Sequence, residues 1–430
     1  MRRSGFAAWV RLGLGVLLAT GLLAGCGNNG SRQKDANQVS NARTTAYQES
    51  DVDRKLTHAM NRFGLDLYAE WTASQEIVQS NVMLSPAGLG MALSMLRAGA
   101  EGETAEEMDR VLGLKAFDAE QLDAGQHILR ELMLAADPSV RIEIANSLWA
   151  REGFQLKPSL VERLEQNYEA QARALDFNSE SAADTMNEWA ALHTNGKIDQ
   201  VIDPPIDPNT VLFLMNALYF KGSWMTPFDP ALTKEQPFAT DKGQSVQVPT
   251  MSQTGRYAYA DEEDFQAIRL PYGTSGNFAM IAAVPDKGTT LESFKNEHLA
   301  DFSIWSARLA EQEGQVELPK FKLEDSMSLN DVLKSLGMES AFDPHEAEFG
   351  GLAKEAAGLY VSEVSQDTFI EVNEEGTEAA AVTVVAMNES ASPSDRPFEM
   401  KLNRPFFFAI TDRTTGLILF MGEVGNPAES

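Results

Sequence analysis

Apolar side chains recur in the first part of the chain at spacings typical of α-helices. One set recurs at steps of three or four residues and consists of Leu56, Met60, Phe63, Leu67 and Trp71. This spacing puts the set on one face and predicts an amphipathic helix. Residues 89–96 are apolar on most sides of a second predicted helix, which should therefore be buried.

The ends of this second helix carry local signals. Residues 81–84 predict a short strand, and Pro86 follows where a proline favours the first turn of a helix. The glycine-containing stretch 99–104 predicts the helix end. Thr104 and Glu107 then have the spacing of a capping box, which predicts that a third helix opens at Thr104.

Other stretches are typical of strands. Residues 141–148 alternate, which predicts a strand with one buried face. Residues 211–220 are almost continuously apolar around Asn216, which predicts a strand buried on both faces, and the amide of Asn216 must find hydrogen-bond partners there. Further strands are expected at 278–284, 316–321, 406–410 and 417–421, the last two joined by a turn at 412–416.

The segment from Glu371 to Ala391 fits two conformations. After a strand tail and an acidic turn at 374–376, it becomes a run of small and β-branched residues. Valine and threonine favour a strand, whereas the alanines suit a helix that Thr377 could cap. In a strand, small side chains would share one face, namely Thr377, Ala379, Ala381, Thr383 and Val385. An ordinary buried strand and a capped helix both stay open on composition.

The first 25 residues predict a targeting segment. Arginines precede an apolar core at 12–23 that is too short for a permanent transmembrane helix. The following Leu23-Ala-Gly-Cys26 resembles a bacterial lipobox, in which the cysteine is lipidated after cleavage. The alternative is a plain signal peptide with an incidental cysteine. Cys26 is the only cysteine in the chain, so an intramolecular disulfide is impossible.

Residues 26–52 are polar and predict a flexible tether between this anchor and a folded domain. The mature protein is accordingly expected to be exported and lipid-anchored through Cys26 to the bacterial cell envelope, at the outer membrane or cell surface. Its domain would lie in the periplasm or the extracellular space.

Charge and missing motifs exclude several function classes. The net charge of −28 argues against nucleic acid, heparin-like polyanions and anionic lipid surfaces as partners. The sequence contains no Gly-x-Ser-x-Gly, His-Glu-x-x-His, Walker or dinucleotide motif. His345 and Glu348 have liganding side chains, but such pairs usually belong to solvated surface. We therefore expect no catalytic residues, no metal and no cofactor; the alternative, a hydrolase or metal enzyme, would turn over many substrate molecules.

Several motifs resemble the serpins, a family of suicide protease inhibitors. Glu-Glu-Gly-Thr-Glu-Ala-Ala-Ala at 374–381 is similar to the serpin hinge, and Met-Lys-Leu-Asn-Arg-Pro-Phe-Phe-Phe-Ala-Ile at 400–410 is similar to the C-terminal signature. Further similar blocks lie at 81–86, 99–104, 187–189, 194–198 and 216–228.

The resemblance covers residues 53–427, although length alone would suggest two or three domains. It implies a single α+β domain at 53–430, with a large central β-sheet, further sheets and eight or nine helices. An exposed reactive-centre loop would occupy about 374–396.

In this family the loop is bait for a serine or cysteine endopeptidase, and after cleavage it enters the main sheet as a new strand. The resemblance implies a hinge made of Glu374, Glu375, Gly376, Thr377, Glu378, Ala379, Ala380 and Ala381. Counting from Gly376 puts the scissile bond at Ser390–Ala391, and a slipped register would make Met387 or Glu389 the specificity residue. Small residues there suit elastase-like or subtilisin-like proteases. The target forms a covalent acyl complex, and the inhibitor is expected to be a monomer.

The resemblance also implies residues that control the opening of the sheet. Ser85, Asn216 and Gln366 are the candidates, and an ion pair between Lys320 and Glu374 is expected to stabilise the hinge. Serpins usually carry serine where this chain has Gly88, and often histidine where it has Gln366. The hydrogen bonding of this region must therefore differ here.

A non-inhibitory serpin, acting as a carrier, chaperone or structural protein, is the second function class. Such proteins tend to have charged or bulky hinge residues, whereas this chain has Thr377 and small alanines. The hinge therefore favours an inhibitor.

Overall fold

The computed structural model describes residues 44–74, 80–377 and 397–429. These ranges contain nine α-helices: α1 Arg54–Ser74, α2 Pro86–Arg97, α3 Gly102–Val111, α4 Ala119–Ala135, α5 Pro158–Tyr168, α6 Glu180–His193, α7 Leu291–His298, α8 Phe302–Ser306 and α9 Asn330–Ser335. Short 3-10 helices lie at Glu49–Asp51, Pro230–Leu232, Leu299–Asp301 and Ser340–Phe342. Within these ranges, no helix is both long and apolar enough to cross a membrane.

The strands of these described ranges form two sheets. They are β1 Asn81–Leu84, β2 Val140–Arg151, β3 Gln171–Leu175, β4 Leu212–Ser223, β5 Lys234–Ala239, β6 Ser245–Asp261, β7 Phe265–Tyr272, β8 Phe278–Pro285, β9 Ala310–Pro319, β10 Phe321–Ser328, β11 Glu363–Asn373, β12 Gly376–Thr377, β13 Phe398–Lys401, β14 Phe406–Asp412 and β15 Ile418–Val424. Nine strands are ordered β1-β15-β14-β8-β7-β6-β9-β13, with β5 paired to β6. The other six are ordered β10-β11-β12-β4-β2-β3.

The helices predicted from apolar periodicity are present. The predicted apolar stripe lies on α1, where Leu56, Phe63 and Leu67 are buried. In α2, Pro86 occupies the first turn and the hydroxyl of Ser85 caps it by accepting a hydrogen bond from the amide of Gly88 at 3.1 Å. Nearly every residue of α2 is buried, as its uniform apolarity predicts.

The predicted start of the third helix is wrong. α3 begins at Gly102, whose φ of +50° turns the chain into the helix two residues before Thr104. Thr104 therefore lies inside the helix, and its hydroxyl accepts hydrogen bonds from the amide of Glu348 and the hydroxyl of Ser340, each at 3.0 Å. The threonine makes tertiary contacts rather than a cap.

The predicted strands are largely confirmed, with one boundary misplaced and one burial pattern wrong: β2 was expected to bury one face, but its residues 145–150 are all buried. β4 is buried along its apolar length, and β14 and β15 form the expected hairpin. The stretch predicted as one strand at 316–321 instead spans the end of β9 and the start of β10, which belong to different sheets. Lys320 separates them, and its amide donates to the carbonyl of Pro249.

The six-stranded sheet lies between two apolar cores. Alternate residues of β4, such as Leu214 and Leu218, face the large core shared with α1, α2 and the nine-stranded sheet. The residues between them, such as Phe213 and Met215, join a smaller core with Trp189 of α6. This sheet is thus covered on both faces, as a strand run without polar alternation requires.

The α+β class and the single domain are confirmed over the described ranges, which lie in one compact unit. The proposed targeting segment and most of the tether lie outside those ranges. At the C-terminal end of the tether, Glu49–Asp51 forms a 3-10 helix and Val52 is buried. The boundaries at residues 25 and 52 stay predictions.

Candidate functional site

The centre of the six-stranded sheet contains a short strand between two long parallel ones. β4 and β11 pair directly from Phe213 opposite Glu363 to Tyr219 opposite Phe369. Beyond that point they separate, and the turn at Glu374–Glu375 returns the chain as β12 between them. β12 is antiparallel to both neighbours. The predicted hinge therefore begins as a strand of the sheet and not as a capped helix.

Gly376 is the residue that lets the chain enter this gap. Its φ of +146° is one that residues with side chains rarely adopt. A Cβ at this position would lie 2.2 Å from the carbonyl oxygen of Gly222 and 2.5 Å from the Cα of Ser223. Both contacts are with backbone, which cannot swing away. Only glycine fits here without moving β4.

Thr377 is fully buried and makes a side-chain contact with the other sheet. Its Oγ1 lies 2.8 Å from the hydroxyl of Tyr272, at the end of β7. The ring of Tyr272 stacks on Trp224 with centroids 4.3 Å apart. Trp224 in turn donates from its ring nitrogen to the carbonyl of Asn373 and from its amide to the carbonyl of Glu375. The hinge is thus held by aromatic residues that follow β4 and end β7.

The acidic turn is held by an ion pair at its surface. Lys320 Nζ lies 2.9 Å from Glu374 Oε2, and Thr233 Oγ1 donates to Glu374 Oε1 at 2.8 Å. Burial alone would raise the pKa of Glu374, but the hydrogen bonds from Lys320 and Thr233 outweigh it and hold that pKa below its ordinary value. The glutamate is therefore ionised at neutral pH and paired, which is the contact that the resemblance implies.

The three predicted sheet-opening residues lie in one buried hydrogen-bond chain. Gln366 on β11 accepts from the amide of Ser85 at 2.6 Å and donates to Asn216 Oδ1 on β4 at 2.7 Å. Asn216 donates in turn to Asn146 Oδ1 on β2 at 2.8 Å. Because the Gln366–Asn216 bond joins β11 to β4, it must break if a strand is to enter between them.

The two departures from the family pattern, Gly88 and Gln366, both lie next to the amide of Asn216. A Cβ on Gly88 would lie 2.3 Å from Asn216 Oδ1 and 2.9 Å from both Asn216 Cγ and Nδ2. The amide of Asn216 thus occupies the space that a serine side chain at position 88 would need. In this chain Gln366 reaches that amide directly, so the glycine and the glutamine belong to one arrangement.

Two carboxylates lie close to these residues, the buried Asp367 and the half-buried Asp325. Asp367 follows Gln366, and its Oδ1 accepts from the hydroxyl of Ser326 at 2.6 Å, while its Oδ2 has no hydrogen-bond partner among the described residues. Burial raises its pKa to about 6, against the lowering effect of Ser326. Asp325 accepts from the amide of Met83, and burial likewise raises its pKa to about 6. Neither was singled out in the sequence.

Other predicted site residues lie outside the described ranges. These are the lipid attachment site Cys26, the hinge residues Glu378, Ala379, Ala380 and Ala381, and the reactive bond Ser390–Ala391.

Glu348, which was named together with His345 as a liganding side chain, makes a hydrogen bond within the protein. Glu348 accepts from the amide of Glu103 at 2.7 Å, at the start of α3. Over the described residues, one group has the spacing to hold an ion: Asp264, Glu297 and His298, whose ligand atoms lie within 4.8 Å of one another. Glu297 is exposed, and exposed acidic groups are common without a metal.

Sequence reasoning missed Tyr272, Thr233 and Asn146. No local motif marks them, because each acquires its role only when β7, the loop before β5 and β2 meet the hinge-bearing sheet. Trp224 was part of a block similar to the family, and that resemblance was the available signal.

These features define a class of protein: a two-sheet α+β domain whose glycine hinge enters the middle of a parallel pair. Residues 58–427 match the family model described as Serpin (serine protease inhibitor). An uncharacterised serpin-like protein of Thermococcus kodakarensis is 33% identical over 94% of this chain and 93% of its own. Serpin-Z7 of Hordeum vulgare is 33% identical over 89% and 98%, respectively.

The solved structures agree. The thermophilic serpin tengpin, in its native state, superposes with a TM-score of 0.80 at 30% identity, covering 88% of this chain and 96% of that one. The chain belongs to the serpin family, which consists in general of protease inhibitors and not of enzymes.

Proposed function

We propose that this protein is a suicide inhibitor of serine endopeptidases that works by inserting its reactive loop into the six-stranded sheet. The observation that carries the proposal is the position of β12. The first two strand residues of the hinge already lie between β4 and β11, antiparallel to both. A chain that continued this strand would separate the two parallel neighbours and pair with each of them.

The register of β12 supports continued insertion. Thr377 lies opposite Gly222 on β4 and Val372 on β11. Extending both registers by six residues sets Thr383 opposite Asn216 on one side and Gln366 on the other. A threonine hydroxyl would then arrive where the Gln366–Asn216 hydrogen bond has to open, and could satisfy the amides it separates. The residues that hold the sheet closed are thus also positioned to receive the new strand.

The composition of the loop suits this passage. Strand alternation places Thr377, Ala379, Ala381 and Thr383 towards the large core, where Phe220, Leu218 and Ile370 are fully buried. Because these side chains are small, they can pass between β4 and β11 without displacing the packed residues of the large core. About a dozen inserted residues, each gaining roughly 1 kcal/mol of net hydrogen bonding plus side-chain burial, would release on the order of tens of kcal/mol.

The proposed chemistry uses the protease's own serine. Its hydroxyl attacks the carbonyl carbon of Ser390, forms an ester with it, and releases the amino group of Ala391. Insertion then carries the ester-linked protease across the sheet, and its distorted site no longer activates the water that would hydrolyse the ester. Small residues at this bond favour elastase-like or subtilisin-like enzymes, and cysteine proteases could form the analogous thioester. Met387 or Glu389 would direct specificity in a slipped register.

The decisive experiment is incubation of the purified protein with a panel of serine and cysteine proteases. The expected result is a complex that survives boiling in detergent, with consumption of one inhibitor per protease. A catalytically inactive protease with its nucleophile replaced by alanine is the control, because it can bind the loop but cannot form the ester. Cleavage of the loop without any stable complex across the panel would favour the non-inhibitory class.

We also propose that the mature protein is anchored by lipid on Cys26 and works as a monomer at the cell envelope. Leu23-Ala-Gly-Cys26 supports the anchor. The variant Cys26→Ser should either release the domain or leave the precursor uncleaved. If that variant still partitions into detergent at the wild-type size, the lipid attachment is wrong, whereas the inhibitory mechanism is unaffected.

A further inference from the structure

A hydroxyl–hydroxyl contact joins the two sheets at the hinge. The hydroxyl of Tyr272 lies 2.8 Å from Thr377 Oγ1, and both residues are fully buried. Burial raises the pKa of Tyr272, so the phenol stays neutral and can donate or accept. No other side-chain hydrogen bond holds Thr377 among the contacts of the described residues. Each hydroxyl is therefore the partner that makes burial of the other favourable.

The surroundings of Tyr272 fix the phenol in place. Its backbone forms an isolated bridge with Trp224, and its ring stacks on the indole at 14° between the planes. The ring of Phe220 meets it edge-on, with centroids 5.1 Å apart. A side chain packed against two aromatic rings has little rotamer freedom, so its hydroxyl is held at one point beside Thr377.

We infer that Tyr272 is a positioning residue for insertion: its hydroxyl seats Thr377 in the sheet before the loop is cleaved. This inference rests on the proposed function. The first and least favourable step of strand addition is the burial of a polar side chain between β4 and β11. Because Thr377 is already buried there, the cleaved loop does not have to make this step. Tyr272 therefore affects the fraction of cleaved inhibitor molecules in which insertion is complete before the ester is hydrolysed.

The test uses the full-length protein and the substitutions Tyr272→Phe and Thr377→Val, each of which removes one hydroxyl and keeps the shape. The first readout is amide hydrogen exchange at Gly376 and Thr377 in the uncleaved protein, which needs no protease. We expect exchange at these amides to rise about tenfold in each single variant, because one buried hydroxyl is left without a partner. The second readout is the stoichiometry of inhibition, which should rise because more inhibitor is cleaved without trapping.

The double variant gives the sharpest result. With both hydroxyls removed, no buried polar group is left unpaired, so exchange and stoichiometry should return towards the wild-type values. The control is Tyr259→Phe on β6, which removes a hydroxyl that accepts a hydrogen bond from Gln266 at 2.9 Å. Gln266 lies at the opposite end of β7 from Tyr272. Tyr259→Phe should leave both readouts unchanged.

Two outcomes overturn the inference. Unchanged exchange at residues 376–377 in Tyr272→Phe would show that the hydroxyl does not seat the hinge. Effects of the two substitutions that simply add would show that they act separately. If the wild type traps no protease, the proposed function fails, yet the exchange measurement still decides whether Tyr272 seats Thr377.

Discussion

At the scale of single residues, Asp367 is a buried carboxylate in the six-stranded sheet. Its side chain has no exposed surface, and within the part of the chain that the structure describes one of its two oxygens has no hydrogen-bond partner. Because burial raises its pKa to about 6, the folded protein binds a proton there more tightly than the unfolded chain does. Its contribution to stability is therefore present below about pH 4 and is lost as the pH rises through 6.

Replacing Asp367 by asparagine should stabilise the uncleaved protein at pH 7.5. The amide keeps an acceptor for Ser326 and removes the buried charge, so the gain in unfolding free energy is at most about 3 kcal/mol. Thermal unfolding at pH 7.5 and at pH 4.5 measures it, and the difference from wild type should fall to about a third at the lower pH. The control Asp184→Asn, on an exposed carboxylate, should change neither value. A gain of equal size at both pH values would mean that the charge is not its cause.

Single residues also show where sequence reasoning reaches its limit. The family resemblance identified Ser85, Asn216 and Gln366, and the structure places all three in one hydrogen-bond chain. It could not give the effect of Gly88, where a Cβ would lie only 2.3 Å from Asn216 Oδ1. Such clearances arise from packing between elements distant in sequence, and no local pattern records them.

At the scale of elements, the hinge strand is held from outside by the pair Lys320–Glu374. Lys320 comes from the link between β9 and β10, so the pair ties the turn before β12 to the junction of the two sheets. The side chain of Lys320 is 38% exposed and that of Glu374 is 13% exposed, which puts the pair between surface and buried examples.

Lys320→Ala should therefore loosen the hinge by about 1 kcal/mol, the upper end for exposed pairs. The expected result is faster polymerisation on mild heating, measured by native gel electrophoresis or light scattering. Arg62→Ala, which breaks an exposed pair with Asp66 on α1, is the control and should polymerise at the wild-type rate. Equal rates for all three proteins would show that the Lys320 pair contributes nothing to holding the hinge.

Thr377→Arg should separate inhibition from mere cleavage. The arginine would have to bury a charge in a fully buried position, which costs several kcal/mol at the first step of insertion. The bait at Ser390 is more than ten residues away, so the rate of first attack should be nearly unchanged while the protease escapes. On a denaturing gel, cleaved inhibitor should replace the covalent complex.

The matched control is Glu378→Arg. Strand alternation would turn this side chain to the other face of the sheet, opposite Glu371 in the extended register, so trapping should persist. Trapping by Thr377→Arg at the wild-type stoichiometry would contradict the insertion mechanism.

Elements with a strong period were predictable, and their junctions were not. The apolar stripe of α1 and the continuous apolar run of β4 determine each element locally. The sequence pattern around Lys320 does not show where β9 ends and β10 begins, because this boundary is the point at which the chain passes from one sheet to the other. The start of α3 was missed because the positive φ of Gly102 sets it, ahead of a motif that resembles a cap.

At the scale of the whole molecule, cleavage should stabilise the protein. Nicking a loop normally lowers stability, but here it would free the loop to complete the six-stranded sheet. A gain on the order of tens of kcal/mol predicts a rise in unfolding temperature of at least roughly 10–20 °C for a domain of this size. Calorimetry before and after cleavage near Ser390 measures it. Thr377→Arg, cleaved in the same way, should gain much less; a wild type that gains nothing would exclude insertion.

The pairing of β1 with β15 joins Asn81–Leu84 to residues 421–424, almost the full length of the domain. The nine-stranded sheet therefore cannot be completed until residues 421–424 have been made, which is after synthesis of the hinge residues 374–377. Contacts between such distant segments also form slowly. Biosynthesis thus produces the hinge before the strand that completes the nine-stranded sheet. We therefore expect the order in which the two sheets close to decide whether the uncleaved protein reaches its metastable state.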